Sequence, residues 1–156
     1  MEREPLFQRF AKMDKEAGAL LVEYYEWLQS DPGKGLSPET ASPLAHAADR
    51  YLRDFLVDIM ETPAKESSAM HVKTYIGNWY PINTLEPSHE EIDLIATSLA
   101  LLHEWGEKTG KIIADKACDV SALLASAEYF HKRLEQFWAL TPEEVTKWRG
   151  ENDYRR

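Results

Sequence analysis

The stretch from Ser88 to Gly110 constrains the fold most, because it contains the beginning, the apolar faces and the end of one long helix. Ser88 can accept from the backbone N–H of Glu91, and the Glu91 side chain can reach back, as in a capping box. Gly110 suits the left-handed residue that follows a helix. Apolar residues form two lines at helical spacing: Ile92, Ile95, Leu99 and Leu102, and beside them Leu94, Leu101 and Trp105. A helix with two apolar faces needs neighbours on two sides, so we expect it at the centre of a helical domain.

Apolar periodicity also predicts helices before this stretch. The first covers residues 5–29, where Gly18 is a candidate bend or break. The second begins either at Pro38 or, after a kink, at Pro43, since both prolines follow a serine that can cap a helix. It then continues to about Met60.

A short third helix is predicted between this second helix and the central one. Ser67 or Ser68 is positioned to cap it. We expect it to end at Tyr80, because the residue before a proline, here Pro81, is pushed out of helical backbone geometry.

Helical spacing continues after the central helix. A fifth helix is predicted over residues 113–139, either continuous or split at Asp119. Thr141 and Glu144 form a second capping-box pattern that begins a short terminal helix. The tail, residues 150–156, is expected to be loose.

These elements predict an all-α domain of five or six helices that spans residues 1–156. A chain of 156 residues fits one domain and is long enough to bury a core.

The net charge is −9, from 27 acidic and 18 basic residues, which argues against broad attraction to nucleic acid or anionic membranes. The single cysteine, Cys118, excludes an intramolecular disulfide. No apolar run reaches bilayer-spanning length, and MEREPLFQRF lacks a signal-peptide apolar core, so a cytoplasmic location is expected.

Residues 36–112 resemble a known family in the order of three segments: GLSPETASPLAHAADRYLRDFL, TYIGNWYP and EEIDLIATSLALLHEWGEKTGKI. This order is similar to that of the N-terminal core-binding (SAM-like) domain of tyrosine recombinases and phage integrases. Tyr51, Phe55, Trp105 and the turn Gly110-Lys111-Ile112 carry the resemblance. It implies a helical core-binding-like centre with residues 113–156 as a C-terminal helical extension.

The same resemblance implies contact with DNA, but two features differ from the family. No Arg, His and Tyr catalytic domain follows in this sequence, so we expect no recombination by this chain. The DNA-facing positions of the family are usually basic, whereas this chain reads LEPSHEEID.

The most suggestive surface is the aromatic pair beside a proline-bounded loop, with Trp79, Tyr80 and Asn83 as candidate partner-binding residues. Trp and Tyr often anchor protein interfaces. The alternative is that Trp79 fills the end of the bundle and Tyr80 leans on the loop.

DNA contact would use a different set of residues. Four basic side chains on the second and third helices are candidates for one positive face: Arg50, Arg53, Lys65 and Lys73. Neighbouring carboxylates largely neutralise them, so a solvated mixed-charge surface is the alternative.

A metal site is the third possibility. The histidines are scattered over several helices, and His46 and His131 are the candidate ligands in a bundle: the full set is His46, His71, His89, His103 and His131. Glu128 and His131 form one half of the paired motif of di-iron bundles, and no second copy occurs.

No catalytic residue or cofactor is predicted, since nucleophile-elbow and phosphate-loop motifs are missing from the sequence. The leading interpretation is a non-enzymatic interaction or regulatory module that binds a protein partner. The alternatives are an accessory DNA-binding domain and a metal-binding helical bundle.

Overall fold

The computed structural model describes residues 5–113 and 117–153, with the backbone alone at positions 117 and 118. All regular structure in this part of the chain is helical, which confirms the all-α prediction. The α-helices are α1 (Leu6–Gln29), α2 (Pro38–Asp49), α3 (Ala69–Thr74), α4 (Tyr80–Asn83), α5 (His89–Thr109), α6 (Ala117–Leu124), α7 (Ala127–Trp138) and α8 (Val145–Gly150).

Two π-helical segments join some of these helices into longer rods. Arg50–Val57 extends α2, and Tyr75–Trp79 connects α3 to α4. Residues 38–57 and 69–83 are therefore two continuous helical rods. The first begins at Pro38, where the Ser37 hydroxyl accepts from the N–H of Thr40, and Pro43 lies inside it rather than at its start. α1 is continuous through Gly18.

The prediction that the third helix ends at Tyr80 is wrong, because the rod continues past Pro81 to the end of α4. In the π-helical turn the Tyr80 N–H donates to the carbonyl of Tyr75, five residues earlier. Pro81 has no N–H to donate, so one carbonyl of the preceding turn loses its helical donor. Arg133 Nε donates to the Gly77 carbonyl, which lies in that turn, at 3.2 Å. A long-range contact from α7 thus supports the rod where the proline interrupts its hydrogen bonds.

α5 packs against α2, α6 and α7, and it begins and ends where the sequence predicts. The Ser88 hydroxyl accepts from the Glu91 N–H at 3.1 Å, and Gly110 is left-handed with a φ of 75°. The expected hydrogen bond between the Ser88 N–H and the Glu91 side chain is replaced by a connection through Tyr80. The Ser88 N–H donates to the Tyr80 hydroxyl at 3.0 Å, and that hydroxyl donates to Glu91 Oε1 at 2.5 Å. Tyr80 therefore ties the start of α5 to the rod of residues 69–83.

The predicted fifth helix is split, but at residues 125–126 between α6 and α7 rather than at Asp119, which lies in the first turn of α6. Residues 114–116 lie outside the described part of the chain. The expectation of a loose tail is wrong for residues 150–153, because Asn152 is only 7% exposed. Its carbonyl accepts from the Thr74 hydroxyl at 2.7 Å, which fixes this segment on α3. Residues 154–156 lie outside the described residues.

Arg133 is the buried cation that joins the second rod, α7 and α8. Its side chain is 3% exposed, and Nη2 donates to Asn78 Oδ1 and, at 3.1 Å, to the carbonyl of Trp148. The guanidinium carbon lies 3.8 Å from the centre of the Trp148 ring. Because the arginine donates to groups on two other elements, the second rod and α8, its loss would leave buried acceptors without these donors.

Replacing Arg133 with Met keeps much of the packing volume but removes these hydrogen bonds. We expect the free energy of unfolding to fall by about 3 kcal/mol, measured by urea denaturation. Lys132→Met is the matched control: the Lys132 side chain is exposed and, among the described residues, forms an ion pair with Glu128 alone, so we expect a loss below about 0.5 kcal/mol. Equal losses in the two variants would contradict the structural part given to Arg133.

Four tyrosines are completely buried in the core: Tyr24, Tyr51, Tyr75 and Tyr80. Burial raises the pKa of each phenol above its usual value, because the tyrosinate anion would lose its hydration. For Tyr80, the hydrogen bond to the Glu91 carboxylate raises the pKa further. The folded protein therefore binds protons at a pH where the unfolded chain releases them.

We expect stability to be independent of these tyrosines below about pH 10, where a phenol in the unfolded chain ionises, and to fall above it. Each phenol that stays neutral in the folded state contributes a loss of about 1.4 kcal/mol per pH unit in that range. Urea denaturation at a series of alkaline pH values measures the slope. Tyr24→Phe, which removes one buried phenol, should make the slope shallower. A flat profile between about pH 9 and 11 would contradict this account.

Candidate functional site

The candidate site is a cavity of about 260 Å³ where the two rods meet α5, called here the α2–α5 cavity. Its lining is half apolar and half polar. The apolar side chains are Pro43, Ala47, Leu94 and Ile95, and the polar ones are His46, Arg50, Tyr75 and Glu91. Pro43 and His46 are exposed at the mouth, whereas Tyr75, Ala47 and Ile95 are buried, so the cavity extends from solvent into the core.

Helical spacing on the first rod places Arg50 beside His46, one turn away. The carbonyl of Asn83 accepts from Arg50 Nη2 at 2.9 Å, and the guanidinium carbon lies 5.1 Å from the centre of the Trp79 ring. It also lies 5.9 Å from the centre of the Tyr80 ring. These contacts hold the guanidinium plane while leaving most of its N–H groups unused, since no other hydrogen bond from it occurs within the described residues.

Tyr75 supplies the buried polar atom of the site. The side chain is completely buried, and its hydroxyl has no hydrogen-bond partner within residues 5–113 and 117–153. Burial raises the pKa of this phenol, and the positive charge of Arg50 opposes the shift while the negative charge of Glu91 adds to it. The hydroxyl therefore keeps its proton and can donate a hydrogen bond.

Glu91 gives the cavity a negative charge in addition to the positive charge of Arg50. One carboxylate oxygen accepts from the Tyr80 hydroxyl, and the other has no hydrogen-bond donor in the described part of the chain. No ion pair joins Arg50 to Glu91, or to any other carboxylate of the described residues, at an N···O distance of 4.0 Å or less. Two opposite charges that form no ion pair with each other therefore line the cavity.

The three predicted partner-binding residues differ in their burial and in their contacts. Tyr80 is completely buried, and its hydroxyl donates to Glu91 of α5. Trp79 is half-buried and stacks on Tyr75 with ring centres 5.4 Å apart. Asn83 is exposed, and its side chain donates to the Trp79 carbonyl at 2.9 Å. Protein binding at Trp79, Tyr80 and Asn83 stays a prediction.

The four basic residues proposed for DNA contact do not share one unpaired positive face. Arg53 lies 3.0 Å from an Asp14 carboxylate oxygen and 3.4 Å from one of Asp49. Lys65 is exposed at a separate cleft, and the Lys73 ammonium lies 5.5 Å from the centre of an aromatic ring of α7. Arg50, the fourth, lines the α2–α5 cavity. DNA binding stays a prediction.

The predicted metal ligands lie in different surroundings. His46 lines the cavity mouth, while His131 bonds an Asp93 carboxylate oxygen at 2.7 Å and stacks on His89 with ring centres 4.6 Å apart. His131 therefore joins α7 to α5. Glu128 is instead within 3.7 Å of the Lys132 ammonium. Within the described residues, no three His, Cys, Asp or Glu side chains are arranged to hold a metal ion.

Two serine–histidine contacts occur, and each has a structural explanation. Ser67 and His103 are buried, with Ser67 Oγ 2.8 Å from His103 Nε2 and 2.5 Å from the Tyr51 hydroxyl. Ser68 and His71 form the capping box of α3. Sequence reasoning assigned caps to these serines but missed the buried network of Ser67.

Sequence reasoning also missed Tyr75 and Glu91 as site residues, because their patterns were typical of a core helix and a helix cap. No local motif marks the cavity. The site depends on contacts between segments that are distant in sequence. Along the described helices, none has both the length and the apolar character required to cross a membrane.

We expect Tyr75→Phe to stabilise the free protein by about 1 kcal/mol, because it removes a buried hydroxyl without a partner. Tyr24→Phe is the matched control, since the Tyr24 hydroxyl donates to the Ser98 carbonyl at 2.9 Å. That variant should lose about 1 kcal/mol. Urea denaturation of both variants measures the difference. Destabilisation of similar size in both would show that the Tyr75 hydroxyl is already satisfied.

Comparisons with known proteins add no further constraint on this site. The resemblance of residues 36–112 to the core-binding domain of tyrosine recombinases therefore stays a prediction. Protein-family models, curated proteins and solved structures were compared with the chain, and none of them matches.

Proposed function

We propose that this chain is a non-enzymatic binding module that holds a small polar ligand in the α2–α5 cavity. The observation that carries the proposal is the charged part of the lining: Arg50 keeps unused N–H donors, and Glu91 keeps a carboxylate oxygen without a donor among the described residues. A ligand that pairs with these groups would use hydrogen-bonding capacity that the described part of the protein does not use.

Arg50 supports the same proposal because it is positioned before any ligand arrives. Asn83 and the two aromatic rings hold the guanidinium, so little side-chain entropy is lost when its remaining N–H groups bind an acceptor. Polar groups that converge at the end of a partly apolar cavity are typical of small-molecule sites.

The position of the cavity supports a regulatory part for the ligand. The lining comes from α2, its π-helical extension, the second rod and α5. A ligand that contacts all of these elements would stabilise the folded state by binding it preferentially. The serine–histidine contacts serve as a core network and a helix cap, which supports a binding rather than a catalytic function.

The experiment is equilibrium dialysis of the purified protein against a water-soluble extract of cellular small molecules, read by mass spectrometry. We expect the wild type to retain at least one compound that Arg50→Gln does not retain. Arg9→Gln is the matched control, because Arg9 is exposed and does not line the cavity. This control should retain the compound as the wild type does.

Two outcomes would overturn the proposal. One is that the wild type retains no compound above the protein-free chamber. The other is that retained compounds are held equally by Arg50→Gln, which would place their site outside the cavity. Circular dichroism of each variant confirms that its helices are intact before the dialysis is interpreted.

A further inference from the structure

We infer that the ligand of the α2–α5 cavity is a small zwitterion that carries a carboxylate and an ammonium group, as amino acids do. This inference rests on the proposed function, because it names the chemistry of the ligand at the same site. The charges of the lining, the charge of the whole chain and the size of the cavity all favour this class of ligand.

The lining provides one cation and one anion that do not neutralise each other. Arg50 has unused N–H donors, and Glu91 has a carboxylate oxygen without a donor among the described residues. A carboxylate pairs well with a guanidinium, and an ammonium pairs well with a carboxylate. A ligand with both groups could therefore pair with Arg50 and with Glu91 at the same time.

Tyr75 lines the cavity with a completely buried side chain, and its hydroxyl is closed to solvent. Arg50 therefore supplies the donors for the carboxylate of the ligand. The ammonium group would then be directed toward Glu91.

The charge of the whole chain favours a ligand without net charge. At −9 the protein repels anions and attracts cations over long range. A simple anion would bind Arg50 against this field and next to the uncompensated Glu91 carboxylate. A simple cation would leave the donors of Arg50 unsatisfied. A zwitterion avoids both penalties.

The size and the apolar half of the lining limit the rest of the molecule. About 260 Å³ is at the small end of ligand cavities. Ala47, Leu94 and Ile95 offer contact to a short aliphatic group. A small amino acid with an apolar side chain meets these conditions.

The test is isothermal titration calorimetry of the full chain with the standard α-amino acids, β-alanine and γ-aminobutyrate. For each compound that binds, the matched carboxylic acid without the amine and the matched amine without the carboxylate are titrated as well. We expect at least one zwitterion to bind, and both of its analogues to bind at least about tenfold more weakly.

Variants of Arg50 and Glu91 test which charged group of the ligand pairs with which residue. Arg50→Gln and Glu91→Gln should each weaken zwitterion binding at least about tenfold, and Glu91→Gln keeps an oxygen that accepts from Tyr80. Arg50→Gln should leave the affinity of the amine analogue unchanged, because that analogue has no carboxylate. Glu90→Gln is the matched control: Glu90 is exposed in the same helical turn and should not affect binding.

The outcomes separate this inference from the proposed function. If no zwitterion binds while dialysis yields a compound that depends on Arg50, the ligand class is wrong and the binding site stands. If neither experiment gives binding, both fail. Zwitterion binding that is insensitive to Arg50→Gln and Glu91→Gln would overturn the inference, because the ligand would then lie elsewhere.

Discussion

The buried guanidinium of Arg133 is the interaction on which the candidate site depends. It donates to the Gly77 carbonyl in the turn before Pro81, and so supports the second rod where the proline interrupts its hydrogen bonds. The rod carries Tyr80 to the start of α5, where its hydroxyl bonds Ser88 and Glu91. The position of the cavity carboxylate thus depends on a cation that lies on α7, outside the cavity.

Polar groups that meet over long sequence separations organise the middle of this helical domain. Tyr24 reaches Ser98, Tyr51 meets Ser67, and Ser67 in turn meets His103. Each of these buried polar atoms has a partner, as is usual in folded proteins. The Tyr75 hydroxyl differs from them because it is buried without a partner in the described part of the chain. Beside it, the charges of Arg50 and Glu91 line the α2–α5 cavity without forming an ion pair, and they are the basis of the proposed binding function.

Much of the fold could be predicted because helices leave local signals. The Ser88 cap, Gly110 and the apolar spacing located α5 from the sequence alone. The end of the third helix was mispredicted because the rod continues through Pro81, and the turn before the proline receives a hydrogen bond from Arg133, more than fifty residues away in sequence. The cavity could not be predicted either, because its lining residues are also distant from one another in sequence. His46 and Arg50 look like an ordinary surface turn until Tyr75 and Glu91 are placed against them.

The docking of residues 150–153 on α3 affects when the protein can complete its fold during synthesis. The hydrogen bond from Thr74 to the Asn152 carbonyl joins residues 78 apart in sequence. Closing so long a loop costs chain entropy, and such contacts slow folding. During synthesis, the residues of α1 to α5 are added well before Asn152. The rod that contains Tyr75 therefore lacks this contact until Asn152 has been added. The cavity should therefore reach its final geometry only after the ribosome has released the region around Asn152.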